Sequence, residues 1–284
     1  MITVTGATGK LGGRVASRLL DRLGADGLGV CVRSPERVEA LAAQGVRVTR
    51  GDYTDPAGLE QGLAGTTTLL LVSAAAVGEQ ALTQHRDAIE AARAAGVERI
   101  VYTSHQAADP ASAFVPARDH AATEDLLAAS GMRWTSLRDG FHADSTAFWL
   151  AMAQDGVLRL PADGPVSWTT HDDLADAAVA LLLDDGADDG PTPALTGPEA
   201  LDAAAVAERA TRVTGTAYRR EVVGDEEFVA GLVGHGTPEP IARMLLSMFE
   251  ASRAGEFDVV DPFLPALVGH PATPLDAVLS AAAG

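Results

Sequence analysis

The first 155 residues alternate between short apolar runs and longer amphipathic ones. Ile2–Thr5 is a β-branched run that predicts a strand, and between Leu11 and Leu23 apolar residues recur at the spacing of one helical face. The runs "LGVCVR", "VRVTR" and "TLLLVSA" predict further strands. The last of these is apolar on both faces, which is typical of a buried parallel strand.

One pattern occurs three times, in "ALAAQGVRVTR", "AARAAGVERIVYTS" and "LLAASGMRWTSLRD". Each predicts the end of a helix, a glycine and then a strand. Gly45, Gly96 and Gly131 are therefore expected to be left-handed helix caps. Pro35 is expected to open a helix through "ERVEALAAQ". Alternating strands and helices predict right-handed crossovers and a doubly wound, mostly parallel α/β sheet of the Rossmann type.

Beyond residue 155 the alternation weakens. "PVSWTTHDDLADAAVALLLDD" predicts a strand and a helix capped by Thr170 or Asp172, and "GADDGPTPA" predicts a loop. Mostly helical stretches follow. We therefore expect a Rossmann domain over residues 1–155 and, over 156–284, returning strands with a smaller, mostly helical C-terminal lobe. The two parts are expected to form one structural unit.

Composition narrows the classes of partner. The formal net charge of −18 argues against nucleic acid, and no apolar run is long enough to span a membrane. The single cysteine, Cys31, lies in an apolar run and suits a reducing compartment. Zinc-site spacings are absent from the sequence, so no metal is predicted. No signal peptide is apparent, and a cytoplasmic location is expected.

The stretch "VTGATGKLGGRV" contains Gly6, Gly9 and Gly12 between a predicted strand and a predicted helix. In this context glycines allow backbone amides to approach a pyrophosphate at a helix N-terminus. A loop that only packs the helix on the strand is the alternative. Arg33 stands where NAD-preferring folds carry an acidic residue, and its guanidinium suits a 2′-phosphate. NADP(H) is therefore the expected cofactor, unless Arg33 is only a solvated strand end.

These stretches, with "VRSPERVEALAAQGVRVTRGDYTD", "GVERIVYTS", "HAATEDLL" and "ALVGHPATPL", resemble the NmrA-like branch of the atypical short-chain dehydrogenase/reductases. Within it, type 2 quinone oxidoreductases and triphenylmethane reductases are the most similar. The resemblance implies an NADP-binding Rossmann domain and a lobe that holds the substrate cleft. The cofactor-binding residues it implies are Gly6, Thr8, Gly9, Lys10, Leu11, Gly12, Arg33, Asp52, Tyr53, Val72, Ser73, Ala74, Thr103 and His120, with Ser104 beside the nicotinamide.

The proton donor of typical members is missing. Their Tyr-x-x-x-Lys pattern, followed by an acid in the extended branch, aligns here with Pro116, His120 and Glu124. Reducing an isolated ketone makes an alkoxide with a basicity near that of hydroxide, pKa about 15.7, which needs an acid. A quinone makes a phenolate-like anion with a pKa of about 10, and water can protonate it. The missing tyrosine therefore favours a quinone-like or conjugated acceptor.

The candidate catalytic residues are His120, Asp139 and Ser104. His120 either donates a proton or only holds the ribose. Asp139 stands where the relatives usually carry Asn, and a carboxylate there would favour a positive nicotinamide. Residues expected to contact the substrate are His105, Gly140, Phe141, His142, Phe148 and Trp149. Gly140 is expected to allow close approach of the backbone, whereas Phe148 and Trp149 either form an aromatic wall or pack the lobe.

The sequence thus predicts an NADPH-dependent reductase that transfers hydride to a quinone or related conjugated aromatic acceptor. Two alternatives stay open. One is a non-catalytic NADP sensor that binds a partner protein, and the other is a tailoring reductase or isomerase. The expected partner is a small aromatic or quinone-like substrate, and a homodimer stays open beside a monomer.

Overall fold

The computed structural model describes residues 1–153 and 155–283, and its strands build one large sheet and two small ones. In chain order the strands are β1 Ile2–Thr5, β2 Leu28–Val32, β3 Arg47–Arg50, β4 Thr68–Leu71, β5 Arg99–His105, β6 Arg133–Asp139, β7 Phe141–His142, β8 Val157–Leu160, β9 Val166–Thr169, β10 Gly190–Pro191, β11 Ala200–Leu201 and β12 Arg219–Val222. The large sheet has the order β10-β6-β5-β4-β1-β2-β3, and its neighbours pair in parallel. The predicted doubly wound fold is confirmed.

Helices connect these strands and cover both faces of the large sheet. They are α1 Lys10–Leu23, α2 Glu39–Ala42, α3 Pro56–Leu63, α4 Glu79–Ala94, α5 Val115–Ala129, α6 Asp144–Met152, α7 His171–Leu183, α8 Ala203–Thr214, α9 Asp225–Gly234, α10 Glu239–Arg253, α11 Phe263–Val268 and α12 Leu275–Ala283. None of the helices described in residues 1–153 and 155–283 is both long enough and apolar enough to cross a membrane.

Strand β4 shows how the sheet is buried on both sides. Leu70 belongs to the cluster that contains α1 and α7, whereas Leu69 and Leu71 belong to the cluster that contains α3 and α4. Successive side chains of a strand point to opposite faces, so an uninterrupted apolar run fills two cores. Helix α5 packs beside α4 on the second side. The carboxyl ends of the strands stay at one edge, where an open α/β sheet binds ligands.

The predicted left-handed caps are confirmed, with φ of +86° at Gly45, +81° at Gly96 and +77° at Gly131. Two predicted elements differ. The stretch after Ser34 is a 3₁₀ turn, Pro35–Val38, followed by the four-residue α2, rather than one helix. The predicted loop over 186–194 contains β10, which adds an edge strand beside β6. Neither element has the hydrophobic periodicity that marks longer ones.

The C-terminal lobe has its own apolar cluster around Trp168 and Phe257, to which helices α8, α10 and α12 contribute. Its small sheets have the orders β11-β9-β7 and β12-β8, and Trp149 and Leu150 of α6 join the same cluster, so β7 and α6 pack with the lobe although they precede residue 155. Thr170 caps α7 by accepting a hydrogen bond from Asp173 N–H. The division after residue 155 stays a prediction, and its C-terminal limit, Gly284, lies outside the described residues.

Candidate active site

The glycine loop joins β1 to α1. Gly6 has a φ of +64°, which favours glycine, and a Cβ there would lie 2.9 Å from Val72 Cβ. A Cβ on Gly12 would collide with the Gly6 carbonyl. Gly9, at the N-cap of α1, provides no side-chain cap, and the first turn contains no acidic residue. The amides at the start of α1 therefore fit a pyrophosphate.

Three helix N-termini meet beside this loop. Lys10 is the first residue of α1, and its Nζ lies 2.7 Å from Oδ2 of Asp144, the first residue of α6. Nδ1 of His171, the first residue of α7, lies 3.4 Å from the same oxygen. The rings of His171 and His142 lie 4.3 Å apart. Lys10 thus connects the loop expected to bind phosphate with the lobe.

Arg33 follows β2 and is exposed. Asp52 lies near it. A hydrogen bond from Thr54 N–H is the main cause that holds the pKa of Asp52 below its ordinary value, and the charge of Arg33 adds to it. Tyr53 Oη lies 2.6 Å from Thr5 Oγ1 and 2.7 Å from the Val72 carbonyl oxygen. The Tyr53 hydroxyl therefore bonds to β1 and to the residue after β4, which leaves its ring for the predicted adenine contact.

The segment after β4 is held by hydrogen bonds to its neighbours. Ser73 N–H donates to Thr103 Oγ1 over 2.8 Å, and Ala74 N–H donates to His85 Nε2 over 2.9 Å. Because Nε2 accepts, His85 carries its proton on Nδ1, which lies 2.8 Å from Thr123 Oγ1. Burial lowers the pKa of His85 to about 4. The sequence pattern did not identify His85, because it contacts this segment from the middle of α4.

His120 lies on α5, and its Nδ1 is 2.8 Å from the hydroxyl of Tyr102. Burial is the main cause that lowers the pKa of His120 well below its ordinary value, and nearby His105, His85 and His142 lower it further. The imidazole is therefore neutral at pH 7. Tyr102 was not identified from the sequence. Its side chain points toward α5 because successive side chains of β5 alternate between the two faces of the sheet.

His105 ends β5. Its Nδ1 accepts a hydrogen bond of 3.1 Å from Ala107 N–H, which assigns the ring proton to Nε2. Nε2 is buried and has no hydrogen-bond partner among the described residues. Burial lowers the pKa of His105 to about 3, with a smaller effect of His142. The ring centroid lies 5.3 Å from that of Phe114 and 5.4 Å from that of Phe141. His105 thus offers a neutral N–H donor beside aromatic rings.

Ser104 is buried, and its hydroxyl donates a hydrogen bond of 2.8 Å to Glu124 Oε1. Arg138 binds both oxygens of the same carboxylate, over 3.2 and 2.7 Å. This network joins β5, β6 and α5. The geometry gives Ser104 a structural contact and provides no support for its predicted catalytic role.

The environment of Asp139 disfavours the charged carboxylate that was expected there. Its side chain is buried, and Oδ1 has no partner among the described residues. Burial raises the pKa of Asp139 well above its ordinary value and so favours the neutral carboxylic acid over the carboxylate. Burial therefore disfavours the negative charge expected beside the nicotinamide, because a buried charge without a partner is costly.

Gly140 does allow a close approach, but between parts of the protein. Its N–H donates to the Leu195 carbonyl over 2.8 Å, and a Cβ on Gly140 would collide with Thr169 Oγ1. The close approach expected at Gly140 thus serves to pack β6 against the lobe, and its contact with a substrate stays a prediction.

A cavity of about 880 Å³ opens between the sheet edge and the lobe. Phe141, His142, Phe148 and Trp149, all predicted to contact the substrate, line it. Phe148 is 64% exposed, so it does not pack the lobe interior. Trp149 does pack there, with its ring 5.2 Å from that of Trp168, while also lining the cavity.

Comparison with known proteins agrees with this geometry. The NAD(P)H-binding family matches residues 6–185. The chain belongs to this family. It is 38% identical to quinone oxidoreductase 2 of Escherichia coli over 97% of this chain and 96% of that one. It is 34% identical to a (4-alkanoyl-5-oxo-2,5-dihydrofuran-3-yl)methyl phosphate reductase of Streptomyces griseus, over 96% and 95% of the two chains.

The structure of triphenylmethane reductase from Citrobacter sp., complexed with NADP(H), superposes with a TM-score of 0.91 at 31% identity. It covers 99% of this chain and 100% of that one. The predictions of the NmrA-like family, of a dinucleotide cofactor and of an enzyme are confirmed. The chain is an NAD(P)H-dependent oxidoreductase of this family.

Proposed function

We propose that this oxidoreductase uses NADPH to reduce a quinone or a related conjugated aromatic acceptor. The observation that carries the proposal is the large aromatic cavity at the carboxyl edge of the sheet, next to imidazoles that are neutral at pH 7. The similarity to a quinone oxidoreductase and to a reductase of triphenylmethane dyes supports the same class of acceptor.

Different residues of the chain would bind different parts of the cofactor. The amides at the start of α1 would hold the pyrophosphate, and Arg33 would hold the 2′-phosphate through charged hydrogen bonds. His120 would bind the ribose. The exposed guanidinium of Arg33 next to Asp52 suits NADPH better than NADH, because NADH has no phosphate there.

NADPH, when bound, supplies a hydride, which carries two electrons. Phe114 and Phe141, which line the inner part of the cavity, would exclude water from the acceptor ring. The reduced quinone is a phenolate-like anion with a pKa of about 10, and it takes one proton from water. Burial of Asp139 disfavours a negative charge that would repel this anion. A plain ketone would need a stronger acid than a neutral imidazole.

The test is NADPH oxidation, followed at its absorbance band, against matched panels of quinones, triphenylmethane dyes and isolated ketones. We expect turnover of quinones or dyes and little turnover of ketones. Equal turnover of ketones would contradict the proposal. If NADPH binds and no acceptor is reduced, a sensor that binds a partner protein becomes the better explanation.

A further inference from the structure

The cavity is much larger than one acceptor ring requires. It begins at Phe114 and Phe141 beside His105 and extends between α6, α9 and α10 as far as Leu232 and Leu245. Its volume of about 880 Å³ lies near the upper end for pockets that hold drug-sized ligands, roughly 300–1,000 Å³. A single conjugated ring placed against Phe114 and Phe141 leaves the part between α9 and α10 unfilled.

The outer part of the cavity is apolar and adaptable. Met152, Met244 and Met248 line it together with Phe228 and Phe249. Methionine side chains are flexible and polarizable, so they adjust to chains of different shape. Such a wall offers dispersion contacts and little directional recognition.

Apolar side chains at the mouth of the cavity are exposed to solvent. Phe148 is 64% exposed and Met152 is 53% exposed, although the chain carries a formal net charge of −18. The polar residues Glu227 and His235 also line the cavity and are exposed. An apolar lip that leads into a mostly apolar cavity suits a lipophilic ligand that enters partly from water.

We propose that the acceptor carries a long apolar substituent, such as an alkyl or isoprenoid chain, which lies between α9 and α10. This inference rests on the proposed function, because it places the conjugated ring against Phe114 and Phe141 at the inner end of the cavity. Each buried methylene gains binding free energy by leaving water. That gain is the same before and during the reaction, so it lowers KM and leaves kcat nearly unchanged.

The test measures NADPH oxidation with 2-alkyl-1,4-benzoquinones from methyl to octyl. We expect KM to fall about fourfold per added methylene, as burial of a CH₂ predicts, until the cavity is filled. In Met244→Trp the indole occupies space between α9 and α10. KM should then stop falling at a shorter chain than in the unaltered protein.

Ile241→Trp is the matched control, because Ile241 lies on the same helix and outside the cavity lining. It should leave the dependence on chain length unchanged. Leu232→Trp, on α9, repeats the block if Met244→Trp unfolds. Quinone turnover with a KM independent of chain length would overturn the inference and leave the proposed function standing.

If no quinone is reduced, the proposed function fails, and the cavity is tested by binding alone. Calorimetric titration with 4-alkylphenols, which accept no hydride, would then measure affinity in the presence of NADP⁺. Affinity that rises with chain length in the unaltered protein, and less in Met244→Trp, supports the assignment of the outer cavity. Affinity that does not change with chain length overturns it.

Discussion

Lys10 and Asp144 form an ion pair, with Nζ 2.7 Å from Oδ2, that joins the glycine loop to the first turn of the lobe helix α6. The same ammonium is expected to approach the pyrophosphate. If it does, the carboxylate and the cofactor compete for Lys10. Cofactor binding would then be connected to the position of α6, which carries Phe148 and Trp149.

Replacing Asp144 with Asn tests this competition. We expect the affinity for NADPH to rise about two- to fivefold, the size of a partly exposed charge interaction, because a carboxylate beside the phosphates is removed. Fluorescence titration at two salt concentrations would measure it, with a smaller gain at high salt. Asp125→Asn, exposed on α5, is the control. A loss of affinity would mean that Asp144 holds Lys10 in its binding position.

Arg33→Ala should reduce the preference for NADPH over NADH by about 1.5–3 kcal/mol, the scale of a charged hydrogen bond. The reason is that NADPH alone carries the 2′-phosphate. The Kd of each cofactor, measured by titration, gives the preference directly. Arg93→Ala, exposed at the end of α4, should change neither Kd. Equal affinities for both cofactors in the unaltered protein would refute the role of Arg33.

Gly9→Val should abolish NADPH binding and leave the fold intact. Gly9 has a φ of −93° and a ψ of 174°, which other residues also adopt, and its Cβ would lie 3.3 Å from the Gly6 carbonyl oxygen. The added side chain would therefore mainly occupy the space of the pyrophosphate. Calorimetry and thermal unfolding separate the two effects. Gly12→Ala offers a contrast, because its Cβ collides with the loop itself and should lower Tm.

His120→Gln should raise the apparent KM for NADPH and leave the pH profile of kcat unchanged between pH 6 and 8. The pKa of His120 lies well below its ordinary value, so the ring does not titrate in this range. Steady-state kinetics with a quinone acceptor would measure both quantities. A fall in kcat of about 10²–10⁴, the usual share of general acid catalysis, with no change in KM, would instead make His120 the proton donor.

The buried histidines should make the fold sensitive to acid. Burial lowers the pKa of His85 to about 4 and that of His105 to about 3. Below pH 6.5 the unfolded chain takes up protons on these rings and the folded chain does not. The free energy of unfolding therefore falls as the pH drops from about 6.5, by up to about 1.4 kcal/mol per pH unit for each histidine.

Urea unfolding at pH 7.5, 6 and 5 would measure this slope. His85→Gln keeps an amide near the Nε2 position that accepts from Ala74 N–H, and it should reduce the slope by one proton. A slope unchanged by this substitution would show that His85 titrates normally in the folded protein.

The sequence was sufficient for the parts of the fold that local pattern controls. Gly45, Gly96 and Gly131 were identifiable because each follows a helical run and precedes an apolar one. Strand β10 was not, because Gly190–Pro191 gains its strand geometry only from pairing with β6. Tertiary pairing determines such an element, and local propensity does not.

The features of the candidate site also fall into those that the sequence predicts and those that depend on tertiary packing. The glycine loop and Arg33 were found from spacing along the chain. The contact between Tyr102 and His120, and that between Ser104 and Glu124, depend on how α5 lies on β5. The protonation of Asp139 depends on burial, which the residue type does not reveal. Side-chain contacts and pKa shifts that depend on tertiary packing could therefore be identified only from the structure.

The large sheet ends at β10 on one side and at β3 on the other. Strand β10 has two residues, one of them Pro191, which lacks an N–H, and β3 begins and ends with exposed arginines. Short length, proline and charge each discourage a further strand from adding to an edge. Both edges of this sheet therefore resist extension by a second chain. Contacts between copies would then form through helices and loops, and partly unfolded chains would have little template here for aggregation.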